Sequence, residues 1–422
     1  MVKRLALQLY RFAVVAVIAW LARDLAVRQR TQGDAPVVVD EVKAFFPEAA
    51  RLRPDSSARD GLFVLDRAGR ELGYVVRTFP HAQDLIGYAG ATDTLVVLDR
   101  DWKIVGLKIH GSEDTADYVK SIATDRRFLK KWNSLAWDAA ADLDLQKAGI
   151  EGVSGATMTS MAIARGVKLR LQAARSELVE RPALRIGWRD FGMVVVLAGA
   201  ALMAFGRPEW RRRWKLAWQL VLVGYVGLVA GDLLAMKLFG GWARAGAPWT
   251  AAPGLALLAA AALVVPWTTG NPFYCHQVCP HGAAQELLGR IRPRRWQPRL
   301  PEGAVRGLGY LPPALLVFSL VMTMLALPFD LADLEPFAAY VVRSAGIATI
   351  VVAVLGLVAS LFVPQAYCRF GCPTGALLSF VRARGATDRF SRRDAAALAL
   401  VALAVALHGQ YLPLIHWVKG VA

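Results

Sequence analysis

The sequence predicts two fold classes in one chain: an α+β extracytoplasmic domain followed by an all-α polytopic membrane domain. The first observation is a soluble stretch between residues 28 and 185, in which strand-like runs and turns precede a helical pattern. The second is a series of apolar runs of about 20 residues from residue 186 onward, a length that crosses a bilayer. The third is the composition, which is 55% hydrophobic with a mean hydropathy of +0.37 and therefore too apolar for an ordinary soluble enzyme.

The N-terminus predicts a transmembrane helix over residues 1–27. A short basic start precedes an apolar run at residues 5–27, which places the N-terminus inside. A signal sequence is the alternative, but the apolar stretch is long for one and no convincing cleavage site follows it. Both interpretations put residues 28–185 outside the cytoplasm.

The soluble stretch, residues 28–185, predicts a compact α+β domain. Two pairs of apolar runs flank turn-rich segments: 62–65 with 72–76, and 95–98 with 104–109. Short apolar runs separated by Asp, Gly and Arg are typical of β-hairpins. A helical pattern beginning near Thr157 follows them, so strands and helices are expected to share one domain.

Residues 186–422 predict the membrane domain. The apolar runs cover residues 186–205, 216–235, 250–267, 308–327, 340–363 and 395–407. The last run could extend to residue 412 and form a seventh span. Together with the N-terminal helix they predict about six to seven transmembrane helices. Clusters of Arg and Lys follow alternate runs, which the positive-inside rule assigns to the cytoplasm, whereas the acidic loop at residues 328–339 is expected outside. The net charge of +17 comes from these clusters, so no nucleic-acid partner is predicted.

Ser154, Gly155, Ala156 and Thr157 mark the start of the last helix of the α+β domain. Small residues at a helix start leave room for a ligand, and the unpaired N–H groups and helix dipole there suit a phosphate. The structural alternative is an ordinary cap and tight turn, because Ser, Thr and Gly also favour those positions. The residues alone leave both interpretations open.

All four cysteines fall in an internal repeat. Residues 274–283 and 367–376 match at Tyr, both Cys, Pro, Gly and Ala, with the cysteines at Cys275, Cys279, Cys368 and Cys372. Each copy follows an apolar run and precedes a basic segment, so two pseudo-symmetric halves are expected to face each other at the cytoplasmic surface of the membrane. The proline after the second cysteine fits the first position of a following helix. Four thiolates are the usual ligands of an iron–sulfur cluster, with 4Fe–4S and 2Fe–2S both open.

Three alternatives to a cluster remain: a structural zinc site, redox-active dithiols, and unconnected buried cysteines. Zinc sites more often use a two-residue spacing between cysteines, and chance explains a repeated six-position match poorly. His276 and His281 lie within the first copy and are candidate ligands or nearby donors, although histidines beside basic loops are more often simply solvated.

The Ser-Gly-Ala-Thr stretch, followed by Met158 and Thr159, resembles the attachment motif of FMN-binding domains in the RnfG/NqrC and NosR groups. The resemblance implies that Thr157 carries FMN through a phosphoester and that Glu113 and Thr115 lie near the isoalloxazine ring or the ribityl chain. One residue departs from the pattern, because Glu151 stands where the family usually carries Asp.

The pairing of this motif with two Cys-x3-Cys-Pro copies resembles the NosR/NirI family, with a layout closest to its shorter PceC-type members. The resemblance implies a flavoprotein of the bacterial inner membrane that acts in anaerobic respiration. Electrons would come from a quinol of the quinone pool or from a cytoplasmic donor. They would pass an iron–sulfur centre and FMN to a periplasmic reductase similar to nitrous oxide reductase or to reductive dehalogenases, and a flavin transferase would attach the FMN.

The resemblance assigns no catalytic residue and leaves open whether the chain itself oxidises quinol as an electron-transfer oxidoreductase component. The alternative function is a transmembrane redox sensor or regulator, or a maturation factor for a periplasmic metalloenzyme. A subunit of an Rnf- or Nqr-like pump is less favoured, because those pumps distribute their parts over several chains.

Overall fold

The chain divides into two compact units, one with a β-sheet and one built of helices. The computed structural model describes residues 2–31, 36–57, 59–174, 186–291, 300–327, 329–383, 388–411 and 413–414. The sheet unit comprises Gln29–Arg185 and Ala245–Ala251, and the helical unit comprises Met1–Arg28, Ile186–Arg244 and Ala252–Ala422. The predicted combination of a sheet-containing N-terminal region with a helical C-terminal part is confirmed.

The sheet has five antiparallel strands in chain order. They are β1 (Arg51–Pro54), β2 (Leu62–Leu65), β3 (Glu71–Arg77), β4 (Thr92–Leu98) and β5 (Ile104–Ser112). Both predicted hairpins are present, since Phe63 pairs with Tyr74 and Val96 pairs with Leu107. The helices of this unit are Val39–Val42, Ala116–Thr124, Arg126–Lys130, Trp137–Ala141 and Thr157–Ala173.

The centre of the sheet forms the core of this unit. Every residue of β4 is buried. One cluster brings together Val42, Ala49, Val64, Val75, Leu95 and Val97. The helix Thr157–Ala173 also packs against β4, and near its end the buried Arg170 donates to the carbonyl oxygens of Arg77 and Asp60. The helix that begins at Thr157 is therefore tied to the sheet along its length.

The helical unit combines long helices with short ones. Its helices are Val2–Thr31, Trp188–Phe205, Pro208–Val221, Met236–Ala245, Pro253–Thr269, Phe273–Gln277, Pro280–Ile291, Glu302–Leu308, Leu311–Leu325, Ile347–Phe362, Ala366–Phe370, Pro373–Val381 and Arg392–Gly409. A π-helix, Leu222–Ala230, continues Pro208–Val221, and two 3-10 turns cover Leu331–Leu334 and Ala338–Tyr340.

Three of the described helices are long and apolar enough to cross a membrane: Leu5–Gln29, Trp188–Phe205 and Glu302–Leu325. Pro253–Thr269 and Ile347–Phe362 are apolar but shorter. The predicted run at residues 216–235 is not one continuous helix, because the π-helix ends at Ala230 and Gly231 adopts a φ of +68°. The run contains Gly231 and Asp232, but its overall length and apolar character alone do not show that the helix ends there.

The first helix is packed into the helical unit at two levels. Leu21, Ala22 and Leu25 share a cluster with residues of Leu311–Leu325 and Arg392–Gly409. Nearer the N-terminus, the buried Arg11 makes salt bridges of 2.9 Å to Asp388 and 2.8 Å to Asp394. A buried guanidinium needs such partners, so these contacts fasten the first helix to the start of the last one.

Candidate functional site

The Ser-Gly-Ala-Thr turn leads directly into the helix Thr157–Ala173. Gly155 has a φ of +88°, in the left-handed region that favours glycine, and Ala156 is the residue before the first helical one. Among the described residues, no side chain caps this helix start. The first backbone N–H groups are therefore not taken up by a side-chain cap, and the helix dipole at this point favours an anion.

The turn also holds Thr157 in place. The Thr157 Oγ1 donates to the Val153 carbonyl oxygen at 3.2 Å, and the Ser160 Oγ accepts from the Val153 N–H at 2.9 Å. A Cβ on Gly152 would lie 2.4 Å from the Thr157 Cγ2, so the turn closes this tightly only with glycine there. Thr157 is half-buried and Ser154 is exposed, which places both at the edge of the sheet unit.

Asp114 joins the predicted site residues, and the sequence reasoning missed it. One carboxylate oxygen accepts from the Thr159 Oγ1 at 2.7 Å and the Tyr88 N–H at 2.9 Å, and the other accepts from the N–H groups of Ala89 and Thr115. Burial raises the pKa of Asp114, while these hydrogen bonds act in the opposite direction. In the sequence, the one indication that Asp114 belongs to the site is its position between Glu113 and Thr115.

Glu113 and Thr115 lie on either side of Asp114. Because Asp114 is hydrogen-bonded to Thr159, both residues come close to the helix start. Thr115 is buried, and within the described part of the chain its Oγ1 has no hydrogen-bond partner. Glu113 is half-buried and packs against Gly90, where a Cβ would lie 2.6 Å from the Glu113 Cβ. A buried hydroxyl without a partner beside an uncapped helix start fits a polar ligand with a phosphate group.

The two cysteine copies have the same backbone plan. Cys275 and Cys368 lie in the short helices Phe273–Gln277 and Ala366–Phe370. Cys279 and Cys372 directly precede the helices Pro280–Ile291 and Pro373–Val381. Proline occupies the first helical position in both copies, as predicted. We refer to residues 274–283 as the first cysteine motif and to residues 367–376 as the second.

A backbone N–H is directed at one sulfur in each motif. The Cys279 Sγ accepts from the Gly282 N–H at 3.5 Å, and the Cys372 Sγ accepts from the Gly375 N–H at 3.1 Å. A Cβ on Gly282 would lie 2.8 Å from the Cys275 carbonyl oxygen, and one on Gly375 would lie 3.3 Å from the Cys372 Sγ. The glycine of the repeat is therefore explained by the close approach of the cysteine to the following helix.

The four thiols are free and lie in surroundings that disfavour bare thiolates. Cys279 and Cys372 are buried, and Cys275 and Cys368 are half-buried. Apolar surroundings of this kind penalise a charged thiolate. Thiolates here need positive charge beside them, which iron supplies in a cluster.

The described residues contain no group of three His, Cys, Asp or Glu side chains gathered closely enough to hold a metal ion. A side chain that follows the first motif nevertheless reaches a sulfur of the second. Gln285, which the sequence reasoning missed, links them directly, since its Nε2 donates to the Cys368 Sγ at 3.0 Å. The donor set and the hydrogen bonds to sulfur fit an iron–sulfur centre.

The two candidate histidines differ. His276 is exposed, as expected for a solvated residue. His281 is fully buried, so the solvated interpretation is wrong for it; its Nδ1 lies 3.2 Å from the Tyr340 hydroxyl. The sequence showed the basic loop but not the packing of Tyr340 over this position.

Segments predicted on the outer face contact the cysteine motifs. The buried Glu335 accepts from the Thr374 Oγ1 and from the Met236 N–H, both at 2.5 Å. The Tyr274 hydroxyl accepts from the Leu234 N–H at 2.9 Å. The acidic loop therefore contacts the second cysteine motif directly, through Glu335 and Thr374.

The first cysteine motif lies beside the middle of the apolar run at residues 216–235. A Cβ on Gly227 would lie 3.2 Å from the Pro280 Cβ, while Glu286 contacts Lys215 and Gln219. Pro280 and Glu286 are separated by about 9 Å of helical rise. The helix Pro280–Ile291 therefore lies alongside this apolar run, from the level of residue 227 to the level of residue 215.

Comparisons with known proteins match both regions. Residues 87–172 match the FMN-binding domain family, and residues 251–299 and 345–392 match the family described as 4Fe-4S binding domain. Over 208 residues the chain is 26% identical to YccM of Escherichia coli, whose name describes electron transport, covering 46% of this chain and 58% of that protein.

Two further relatives are similar over shorter stretches. The uncharacterized protein MJ0750 of Methanocaldococcus jannaschii is 29% identical over 110 residues, which cover 25% of this chain and 46% of the relative. The regulatory protein NosR of Pseudomonas aeruginosa is 30% identical over 131 residues, which cover 29% of this chain and 18% of the relative. The chain thus spans less than two thirds of each of these relatives. No solved structure matches.

The chain therefore carries an FMN-binding domain and a two-part 4Fe–4S binding domain, and it is homologous to NosR and YccM. This confirms the predicted NosR/NirI-like resemblance and the predicted cofactor types, FMN and an iron–sulfur cluster.

Proposed function

We propose that this protein conducts electrons across a membrane, from a quinol or a cytoplasmic donor to a periplasmic reductase. Bound FMN exchanges one or two electrons and a bound cluster exchanges one, so together they connect two-electron and one-electron partners. The observation that carries the proposal is the presence, in one chain, of a phosphate-suited helix start in the sheet unit and four buried or half-buried cysteines in an apolar helical unit.

Cys275, Cys279, Cys368 and Cys372 would hold the iron–sulfur centre. Two of the sulfurs accept backbone N–H groups and a third accepts the Gln285 amide, which are interactions that set the reduction potential of such centres. The surrounding tyrosines and apolar side chains exclude water. Because a bilayer core is about 30 Å thick, a centre beside the middle of an apolar run would shorten the distance that each electron crosses.

Thr157 would carry the FMN through a phosphoester, with the phosphate at the start of its helix. Ser154, Gly155 and Ala156 form the turn that leaves this start open, and Glu113 and Thr115 would contact the rest of the flavin. Asp114 holds the three segments together through Thr159 and the backbone of residues 88, 89 and 115. Covalent attachment by a flavin transferase would keep the cofactor in a compartment from which a lost flavin is not recovered.

We place the protein in the bacterial inner membrane with about six to seven spans and the sheet unit on the periplasmic side. The Arg and Lys clusters after alternate apolar runs support this topology. In this topology the loop that contains Glu335 would fold back into the membrane domain, as its hydrogen bond with Thr374 supports. The quinone pool and a reductase similar to nitrous oxide reductase or to reductive dehalogenases are the proposed partners.

The second candidate function is redox sensing, or maturation of a periplasmic metalloenzyme. The similarity to NosR favours it, because that relative is named a regulatory protein. Both functions use the same cofactors, but a conduit must be reoxidised quickly by its partner, whereas a sensor works with slow turnover.

Stopped-flow flavin reoxidation with a purified candidate reductase separates the two functions. For a conduit we expect the reductase to accelerate flavin reoxidation, in a manner that saturates with its concentration. The matched control is Thr157→Ala, which should show no accelerated phase. If no reductase of either class accelerates reoxidation of the wild-type flavin, the conduit is excluded for those partners and the sensor function is favoured.

A further inference from the structure

The Gln285 side chain lies between the two cysteine motifs. It belongs to the helix Pro280–Ile291, which follows the first motif, and it is 1% exposed. Its Nε2 donates to the Cys368 Sγ at 3.0 Å and to the His281 carbonyl oxygen at 3.3 Å. A residue that follows one motif thereby reaches the sulfur of the other.

Backbone chemistry fixes the orientation of this amide. The Gln285 Oε1 accepts from the Tyr367 N–H at 3.2 Å, and the Ser360 hydroxyl is 2.8 Å away. A backbone N–H only donates, so the atom facing Tyr367 must be the oxygen. The Nε2 must then face Cys368. Because the amide is buried, turning it would leave the Tyr367 N–H and the Cys368 sulfur without their partners.

The repeat does not copy this arrangement. The position that corresponds to Gln285, six residues after the second cysteine, holds Leu378 in the other half of the repeat, and Leu378 is 3% exposed. A buried apolar residue is therefore compatible with the backbone plan at this point. The backbone of the repeat therefore does not require a glutamine at residue 285.

We infer that Gln285 is a positioning residue that sets the reduction potential of the iron–sulfur centre by donating an N–H to the Cys368 sulfur. This inference rests on the proposed function. Reduction adds one electron from the donor, and the extra negative charge spreads partly onto the cysteine sulfurs. An N–H directed at a sulfur stabilises that charge, so it favours the reduced centre over the oxidised one. Removing the N–H makes the centre harder to reduce.

A redox titration of the purified full-length protein tests this inference, with the iron–sulfur centre followed by electron paramagnetic resonance and the flavin by absorbance. Gln285→Leu copies the residue at the corresponding position. Gln285→Glu keeps the shape and an accepting oxygen but, when ionised, has no N–H for the sulfur. At the potential that half-reduces the wild-type centre, we expect the reduced-to-oxidised ratio to fall roughly three- to tenfold in both variants. The flavin titration should not move.

Gln219→Leu is the matched control, because the buried Gln219 donates its amide to the Glu286 carboxylate and not to a sulfur. We expect no change in the ratio for this variant. An unchanged ratio in both Gln285 variants at wild-type iron content would overturn the inference. Loss of iron in both would also overturn it, because Gln285 would then serve assembly and not the potential. A wild-type protein without iron would refute the proposed iron–sulfur function itself, and the inference with it.

Discussion

The two cofactor regions of this chain are built in opposite ways. The turn before Thr157 is held mainly by residues close in sequence, such as the contacts of Val153 with Thr157 and Ser160. The cysteine centre is assembled over long distances in the chain, and Gln285 is 83 residues from the sulfur it contacts. A local site is visible as a short motif, whereas an assembled site depends on the scaffold that brings its parts together.

This difference predicts that the two regions fail independently. The sheet unit and the helical unit have separate cores, so a change in one region should leave the cofactor of the other in place. Six substitutions in four experiments, taken in order of decreasing expected effect, test this difference between the regions.

The largest effect is expected from Cys275→Ser and Cys368→Ser, one in each motif. If both motifs share one centre, each variant alone should lose essentially all iron, because a four-thiolate site rarely survives the loss of a ligand. Iron analysis and visible absorbance of the purified proteins measure this, and the flavin content serves as the internal control. Retention of half the iron in each variant would instead mean that each motif binds iron separately.

Thr157→Ala is the counterpart in the local site. We expect no FMN to survive denaturation in this variant, while the iron content stays at the wild-type level. The lost hydrogen bond to Val153 should lower the free energy of unfolding by only about 1 kcal/mol. Mass spectrometry of the denatured protein measures the attachment, and Thr159→Ser controls for a nearby hydroxyl change that keeps Thr157. Covalent flavin in Thr157→Ala would show that another residue carries it.

Asp114→Ala tests the long-range contact on which the local site depends. The substitution leaves three backbone N–H groups and the Thr159 hydroxyl without their acceptor in a buried place. We expect the free energy of unfolding of the sheet unit to fall by about 2–4 kcal/mol. Hydrogen exchange of the amides of residues 87–115 measures this. Asp101→Ala, at an exposed position, is the control and should change exchange little. Unchanged exchange in Asp114→Ala would mean that the hydrogen bonds of Asp114 do not stabilise the sheet unit.

Asp114 also shows where sequence reasoning stops. Both hairpins, the helix start at Thr157 and the proline at the start of each helix after a cysteine motif follow from local patterns, and the structure has them. Asp114 was visible as one acidic residue in a polar loop. Only the fold shows that it is buried and faces Thr159 across 45 residues of chain.

The helical unit gives the same lesson on a larger scale. Apolar length predicted a helix through residues 231–235, but hydropathy carries no information on a left-handed turn at Gly231 or on a main-chain N–H that meets Tyr274. Charge predicted an outer loop at residues 328–339, and yet Glu335 is buried against Thr374. A buried acid with two hydrogen-bond donors looks, in the sequence, like any other acidic residue of a loop.

Gly282→Ala and Gly375→Ala compare the two motifs within the assembled site, and we expect them to have the smallest effects on cofactor content. The new Cβ at residue 282 would lie 2.8 Å from a backbone oxygen, that of Cys275, so the backbone must shift. The new Cβ at residue 375 would lie 3.3 Å from the Cys372 sulfur, which needs a shift of only a few tenths of an ångström. We expect the free energy of unfolding to fall by about 1–3 kcal/mol in Gly282→Ala and by less than about 1 kcal/mol in Gly375→Ala.

Thermal unfolding and iron content of the two variants measure this difference. Gly289→Ala is the control, because a Cβ there meets no atom within 4 Å and alanine favours the helix. Gly282→Ala should therefore lose its iron at a lower temperature than Gly375→Ala. Equal losses in the two variants would mean that the two motifs adjust as one rigid pair. A larger loss of stability and iron in Gly375→Ala would mean that a steric clash with the Cys372 sulfur disturbs the centre more than a clash with the Cys275 carbonyl oxygen.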